Sequence, residues 1–376
     1  MKRRKFIQSA TAAAGIGITG IPEIPAEQNQ DIYYNQLADA LNKLPNAFPR
    51  TKSNVELLLL KKICSPEQAR IASSLTGTME SIDVVAARIG LSVEETKIKL
   101  KEMSGLGLIL GNVDSGMVRL RPFVIGIYEA QLERMDHELA HLFEEYMDQG
   151  GAELMRPQPA LHRVIPAQSA VKKEWVIPYD DLREMLLTSK SFRLRDCICR
   201  KQQDLIGERK CDFPLKVELI FSPSEWPETP QSVSREKALE VLDETEKIGL
   251  VHTVSNVADR LYYVCNCCGC CCGILRGITE WGIEKSVAVA NYYSVIDPGE
   301  CKGCGICVGR CQVKAVTLKE GIAVVDREKC IGCGLCVTGC PRGVARLERK
   351  PEDEIIEPPV NFAAWEQERL KNRGLI

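Results

Sequence analysis

Aromatic residues make up only 6% of this 376-residue chain. It also has no uninterrupted apolar run of about 18 residues, the length a membrane-spanning helix needs. A transmembrane span in the mature chain is therefore not expected. Net charge is −2, so no overall basic field points to nucleic acid or an anionic surface as partner. The abundance lies elsewhere, in 18 cysteines: Cys64 stands alone, and the other seventeen fall between Cys197 and Cys340. Clustered thiols in a chain this long point to metal more than to a disulfide scaffold, which belongs to short secreted chains.

Residues 1–26, MKRRKFIQSATAAAGIGITGIPEIPA, have a basic head, a weakly apolar stretch rich in Ala and Gly, and a small residue at the end. That is the layout of an export signal. Arg3-Arg4 followed by Lys5-Phe6 resembles a twin-arginine signal, a route that carries proteins already folded around their cofactors. The expected location is the periplasm or cell envelope; without export it would be the cytoplasm.

Residues 31–150 read as helical. Leu37, Leu41 and Leu44 share one face, and Pro45 and Pro49 end that helix. Ser65-Pro66-Glu67-Gln68 and Ser92-Val93-Glu94-Glu95 are capping boxes. Turn residues between Asn112 and Gly116 separate two short apolar runs and predict a hairpin. Three helices followed by a hairpin resemble a winged helix. However, residues 80–121 carry six basic and six acidic side chains, which argues against a DNA-reading face. A helix is expected from about Tyr128 to Gln149. It contains His137, Glu138 and His141, formally the pattern of a zinc protease, but in a heavily charged surround with no suitably placed third ligand. These histidines read as surface residues. Residues 151–179, rich in proline, read as a connection, and residues 178–293 as a middle domain with a strand at KVELIF and a helix from Ser234 to Ile248 stopped by Gly249.

CKGCGICVGRC from Cys301 and CIGCGLCVTGC from Cys330 repeat one pattern, C-x-x-C-x-x-C-x-x-x-C. Three closely spaced thiolates can wrap one face of an iron–sulfur cube, and the intervening glycines let the backbone turn tightly around it. Residues around Glu320-Gly321, between the runs, predict a second hairpin. The pair resembles the bacterial two-cluster [4Fe–4S] ferredoxin over residues 297–349. By that resemblance Cys301, Cys304, Cys307 and Cys340 hold one cluster, and Cys330, Cys333, Cys336 and Cys311 the other. There is one departure: Cys340 is followed by Pro341, but Cys311 by Gln312.

Nine further thiols lie in the middle domain: Cys197, Cys199, Cys211, Cys265, Cys267, Cys268, Cys270, Cys271 and Cys272. Neighbouring cysteines can pair only with strain, and thiolates suit zinc, copper(I) or iron–sulfur clusters. A third iron–sulfur cluster is expected here, with zinc as the alternative. The expected ligands are Cys197, Cys199 and Cys211 with one member of the dense run.

The expected fold class is α+β: a mainly helical N-terminal part with a winged-helix-like unit, a cysteine-rich α/β middle domain and a C-terminal ferredoxin-like module. The whole resembles ferredoxin-domain proteins of anaerobic bacteria, which implies electron transfer with redox partner proteins; nothing in the composition sets an oligomeric state. Two other functions are weighed. One is an iron–sulfur oxidoreductase acting at the central cysteines; the signal and the two-cluster end also outline reductive dehalogenases, although no large domain is left to enclose a corrinoid. The other is a redox-sensing regulator, which an exported protein could not be.

Overall fold

The computed structural model describes residues 26–376, so the basic head and the twin-arginine pair lie outside the described residues. The expected mixture of helix and sheet is found. The N-terminal part packs α1 (Ala26–Asn42), α2 (Val55–Ile63) and α3 (Pro66–Ser73) around buried Leu37, Leu41 and Leu44. Both capping boxes form: Ser65 and Ser92 accept from the amides of Gln68 and Glu95, each contributing about 1 kcal/mol. Beyond them come β1 (Glu80–Ser81), α4 (Ile82–Ile89), α5 (Val93–Gly105), β2 (Ile109–Asn112) and β3 (Met117–Leu120). The three strands pair antiparallel in the order β1-β3-β2.

α6 (His137–Met155) begins later than the expected Tyr128, because Asp136 caps it by accepting from Leu139 N at 2.8 Å. It also runs through Gly150 and Gly151, which are buried against neighbouring side chains and so do not end it.

The middle of the chain builds β4 (His162–Ile165), α7 (Leu182–Thr188), β5 (Ser191–Asp196), α8 (Ile198–Leu205), β6 (Lys216–Ser222), α9 (Arg235–Ile248), β7 (Val251–Ser255), β8 (Tyr263–Cys267) and α10 (Gly273–Thr279). Its five strands follow the order β4-β7-β8-β6-β5, and every neighbouring pair is antiparallel. The α/β expectation for this part is thus corrected. Among the described residues no helical crossover links parallel strands of this sheet, as a βαβ unit would require. The sheet also starts before residue 178, since β4 lies inside the stretch read as a connection. α9 is capped by Ser234 and ends at Gly249 with φ 99°, as its sequence predicts. It packs on one sheet face. Side chains alternate along a strand, so Asn266 points to the α9 face while Cys265 and Cys267 point to the other, where α6, α8 and α10 gather.

The C-terminal part contains β9 (Tyr292–Ile296), α11 (Ile306–Arg310), β10 (Val316–Lys319), β11 (Ile322–Val325), α12 (Leu335–Thr338) and β12 (Ala345–Arg349). β10 and β11 form the expected hairpin, with Glu320 and Gly321 at φ 52° and 77°, as a tight primed turn requires. β9 pairs with β12 and so closes this module from both ends. The last segment, which reads as a polar tail, is instead a helix, α13 (Phe362–Asn372), docked against the N-terminal part. Trp365 and Arg369 are buried there, and Trp365 Nε1 donates to Ala160 O at 3.0 Å.

Candidate metal centres

In the C-terminal module the first two cysteines of each run lie on the loop leading into a short helix, α11 or α12, the third lies in that helix, and the fourth follows it. Gly303 (φ 64°) lets the first loop close, because a Cβ there would stand 2.0 Å from Gly321 O. Cys301, Cys304, Cys307 and Cys340 line one apolar cavity. Cys311, Cys330, Cys333 and Cys336 line a second. Each cavity therefore takes three thiols from one run and one from the other. Backbone amides turn toward the sulfurs: Ala315 N lies 3.1 Å from Cys311 Sγ, and Gly303 N and Ala323 N each lie 3.4 Å from Cys301 Sγ. Ser294 Oγ is 3.1 Å from Cys336 Sγ. Burial raises the thiols of Cys307, Cys311 and Cys333, and that of Cys336 to about 11. Without a cation these groups would stay protonated. The donor set, four soft sulfurs around a dry space with amides aimed at them, fits a [4Fe–4S] cube.

The nine central thiols separate into two groups. Cys211 does not join Cys197 and Cys199, contrary to expectation. It closes on Cys268, Cys270 and Cys271, all four sulfurs lying within 4.8 Å of one another. Cys197 and Cys199, at the start of α8, instead stand beside Cys272, with Cys265 and Cys267 reaching the same space from β8. These five line a largely apolar cavity together with Tyr128, Phe143 and Ile274, and Cys271 of the first group reaches its edge. Two carboxyls, Glu129 and Glu218, also face it. Burial pushes both up, Glu218 to about 7, with Arg195 pulling each back. Between the two thiol groups lies Arg200, fully buried, which donates to Pro214 O and Asn266 O and faces Cys268, Cys197 and Cys267. The Cys268 thiol is held well below the usual range, first by hydrogen bonds from Cys270 and Cys271 and then by Arg200.

The remaining candidates are not part of any centre. His137 and His141 are exposed with ring centroids 4.4 Å apart, and among the described residues no third ligand joins them. Cys64 is buried in the N-terminal core, where its thiol lies 3.4 Å from Leu60 O.

The residues after Cys311 connect the C-terminal module to the middle one, a role the sequence reading missed. Gln312 Nε2 donates to Gly249 O, and Gln312 Oε1 accepts from Gly269 N, both at 2.9 Å. Arg310 donates to Glu246 O at 2.9 Å and to Lys247 O at 2.7 Å, capping the end of α9.

A family model described as a 4Fe-4S dicluster domain matches residues 293–353, from within β9 to just past β12. Neither a curated protein nor a solved structure matches the chain. Among the described residues no helix is long and apolar enough to cross a membrane. The C-terminal part is thus an iron–sulfur domain of ferredoxin type, with a [4Fe–4S] electron-transfer role, and the middle part carries a cysteine group able to hold a further metal.

Proposed function

We propose that this chain is a redox relay with two [4Fe–4S] clusters in its C-terminal module and a third iron–sulfur centre in its middle part. Cys301, Cys304, Cys307 and Cys340 hold the first cluster; Cys330, Cys333, Cys336 and Cys311 hold the second. The observation that carries this reading is the exchange of the fourth ligand, each thiol-lined cavity borrowing one cysteine from the other run. When bound, such clusters accept and release single electrons.

The third centre belongs to the cavity lined by Cys197, Cys199, Cys265, Cys267 and Cys272. It is supported by likeness to the other two, being a largely apolar space rimmed by thiols from separate segments of the chain. Gln312 and Arg310 keep the module of the first two clusters seated against this part, favouring a fixed electron path over a tethered one. The surface between Glu80 and Arg121 carries no basic excess that would suit nucleic acid, so the partners are redox proteins. The twin-arginine pair of the sequence supports a location in the cell envelope.

Iron and sulfide per chain, with EPR of the reduced protein, test the proposal. About eight irons are expected from the C-terminal module and about twelve with the third centre. Fewer than eight in anaerobically purified protein would refute the two-cluster reading.

A further inference from the structure

The spacing of their sulfurs sets the two central groups apart. Among the described residues, no three of the eight sulfurs from the runs at Cys301 and Cys330 come within 4.8 Å of one another. They stand around open cavities. Cys211, Cys268, Cys270 and Cys271 do the opposite: Cys211 Sγ lies 3.9 Å from Cys268 Sγ and 3.8 Å from Cys271 Sγ, and Cys270 Sγ lies 3.6 Å from Cys271 Sγ. A single ion bonded to four sulfurs at about 2.3 Å in a tetrahedron spaces those sulfurs at about 3.8 Å. A cube gives each thiolate a different iron, and its own edges hold the sulfurs farther apart. The space inside this group therefore suits one ion.

Charge supplies a second, independent observation. Arg200 is fully exposed to protein and not to water, its Nε has no hydrogen-bond partner among the described residues, and no carboxylate pairs with it. A buried guanidinium with one nitrogen unpartnered is stabilised by nearby anions. Four thiolates around a divalent ion leave two negative charges. Arg200, which faces Cys268 as well as Cys197 and Cys267, offsets part of this, and Arg209, beside Cys211 and shared with Asp204, offsets a further part.

We infer that Cys211, Cys268, Cys270 and Cys271 form a closed tetrahedral site for one divalent ion of the zinc class, separate from every iron–sulfur centre. The four thiols release their protons as the ion binds. All four positions are filled by protein sulfur, so neither water nor substrate reaches the metal, and the site is structural. It ties the loop after α8, which carries Cys211, to the turn between β8 and α10. In that turn Gly269 stands between Cys268 and Cys270 and seats Gln312. The ion thereby stiffens the surface on which the ferredoxin-type module rests.

Zinc and iron per chain, measured on the full-length protein purified anaerobically, test this. One zinc is expected, with a zinc-edge X-ray absorption spectrum showing four sulfurs at about 2.3 Å. Cys270→Ser, at a half-buried member of the group, should lower zinc retention several-fold and leave iron unchanged. Zinc absent from the wild-type protein, zinc in a nitrogen or oxygen shell, or iron lost in Cys270→Ser would each overturn the inference. The wild-type spectrum needs no variant to fold. A chain with about twelve irons and no zinc would refute this site and keep the relay; one zinc with fewer than eight irons would do the reverse.

Discussion

Gln312 grips Gly269 from across the domain boundary, its side-chain oxygen accepting the Gly269 amide at 2.9 Å. The same side chain donates to Gly249 O, so one amide joins the residue after Cys311 to two loops of the middle part. The corresponding position in the second run is Pro341, which has no amide proton and no reach. The departure from the repeat at Gln312 is thus accounted for: the residue is a clasp.

Gly269→Ala tests how close that approach is. A Cβ at residue 269 would stand 1.9 Å from Gln312 O, a backbone atom that cannot rotate away. Urea unfolding is expected to show a loss of roughly 1–3 kcal/mol. Gly309→Ala is the control, because nothing lies within 4 Å of its added carbon and its backbone is helical. Equal midpoints for the two variants would contradict the contact.

Serine substitutions should divide the central cysteines by metal. Cys197→Ser and Cys267→Ser are expected to cost about four irons per chain and a reduced-state EPR signal. Cys211→Ser should keep the iron. If Cys197→Ser and Cys211→Ser lost the same metal, the thiols would form one centre after all.

α13 depends on a cation with no anion. Arg369 is fully buried and donates to Pro45 O at 2.8 Å, Pro159 O at 2.6 Å and Leu154 O at 2.9 Å, and also to Pro157 O. Arg369→Ala would orphan these carbonyls and open a cavity, with an expected loss of about 3 kcal/mol or more. The melting temperature should fall while iron per chain holds. An unchanged melting temperature would mean that α13 is not docked in solution.

Much of this was readable in advance where the signal is local. Each ferredoxin run sets three cysteines within seven residues of sequence, and Ser65, Ser92 and Ser234 each announce a helix in the residues beside them. The division of CNCCGCCC was not readable. Cys271 and Cys272 are adjacent yet turn to different groups, because the chain rotates there from strand β8 into α10. β4 escaped because all four of its residues are buried, which removes the alternation that marks a half-exposed strand. α13 was hidden by Arg369, a charged residue on the buried face beside Trp365. Asn361, which caps the helix by accepting from Ala364 N at 3.0 Å, was the signal that could have found it.

Acid should loosen the sheet through His162. Burial depresses this imidazole from its ordinary 6.5 to about 4, and Tyr263 and Thr253 occupy its two nitrogens with no carboxylate paired to it. The unfolded chain therefore binds a proton that the folded chain refuses between those values. Stability is complete above about pH 6.5 and falls as the pH drops toward 4, by about 3 kcal/mol from this residue alone. His252, also depressed by burial, has Glu246 at 4.0 Å to soften its share. The difference in unfolding free energy between wild type and His162→Gln, followed from pH 7 to 5, isolates the residue. A difference that stays flat over that range would show that His162 is not held neutral.

The same histidine sits in a chain of hydrogen bonds that can be read in one direction, starting from Ser255, once Cys267 is taken as an accepting thiolate. Ser255 Oγ donates to Tyr263 Oη at 2.9 Å, and Tyr263 Oη to His162 Nε2 at 2.7 Å. His162 Nδ1 then carries the proton and donates to Thr253 Oγ1 at 3.2 Å, leaving that hydroxyl to donate to Cys267 Sγ at 3.3 Å. A hydrogen bond to a ligand sulfur favours the more negative, reduced state of a cluster and raises its potential. Thr253→Val keeps the shape of the side chain and removes the donor. The midpoint potential of the centre at Cys267 is then expected to fall on the order of tens of millivolts, the equivalent of about 1 kcal/mol for one electron. Potentials of the two C-terminal clusters should stay where they are. EPR-monitored titration resolves the three, and a Thr253→Val protein with full iron and an unmoved third potential would show that the chain of hydroxyls ends short of the metal.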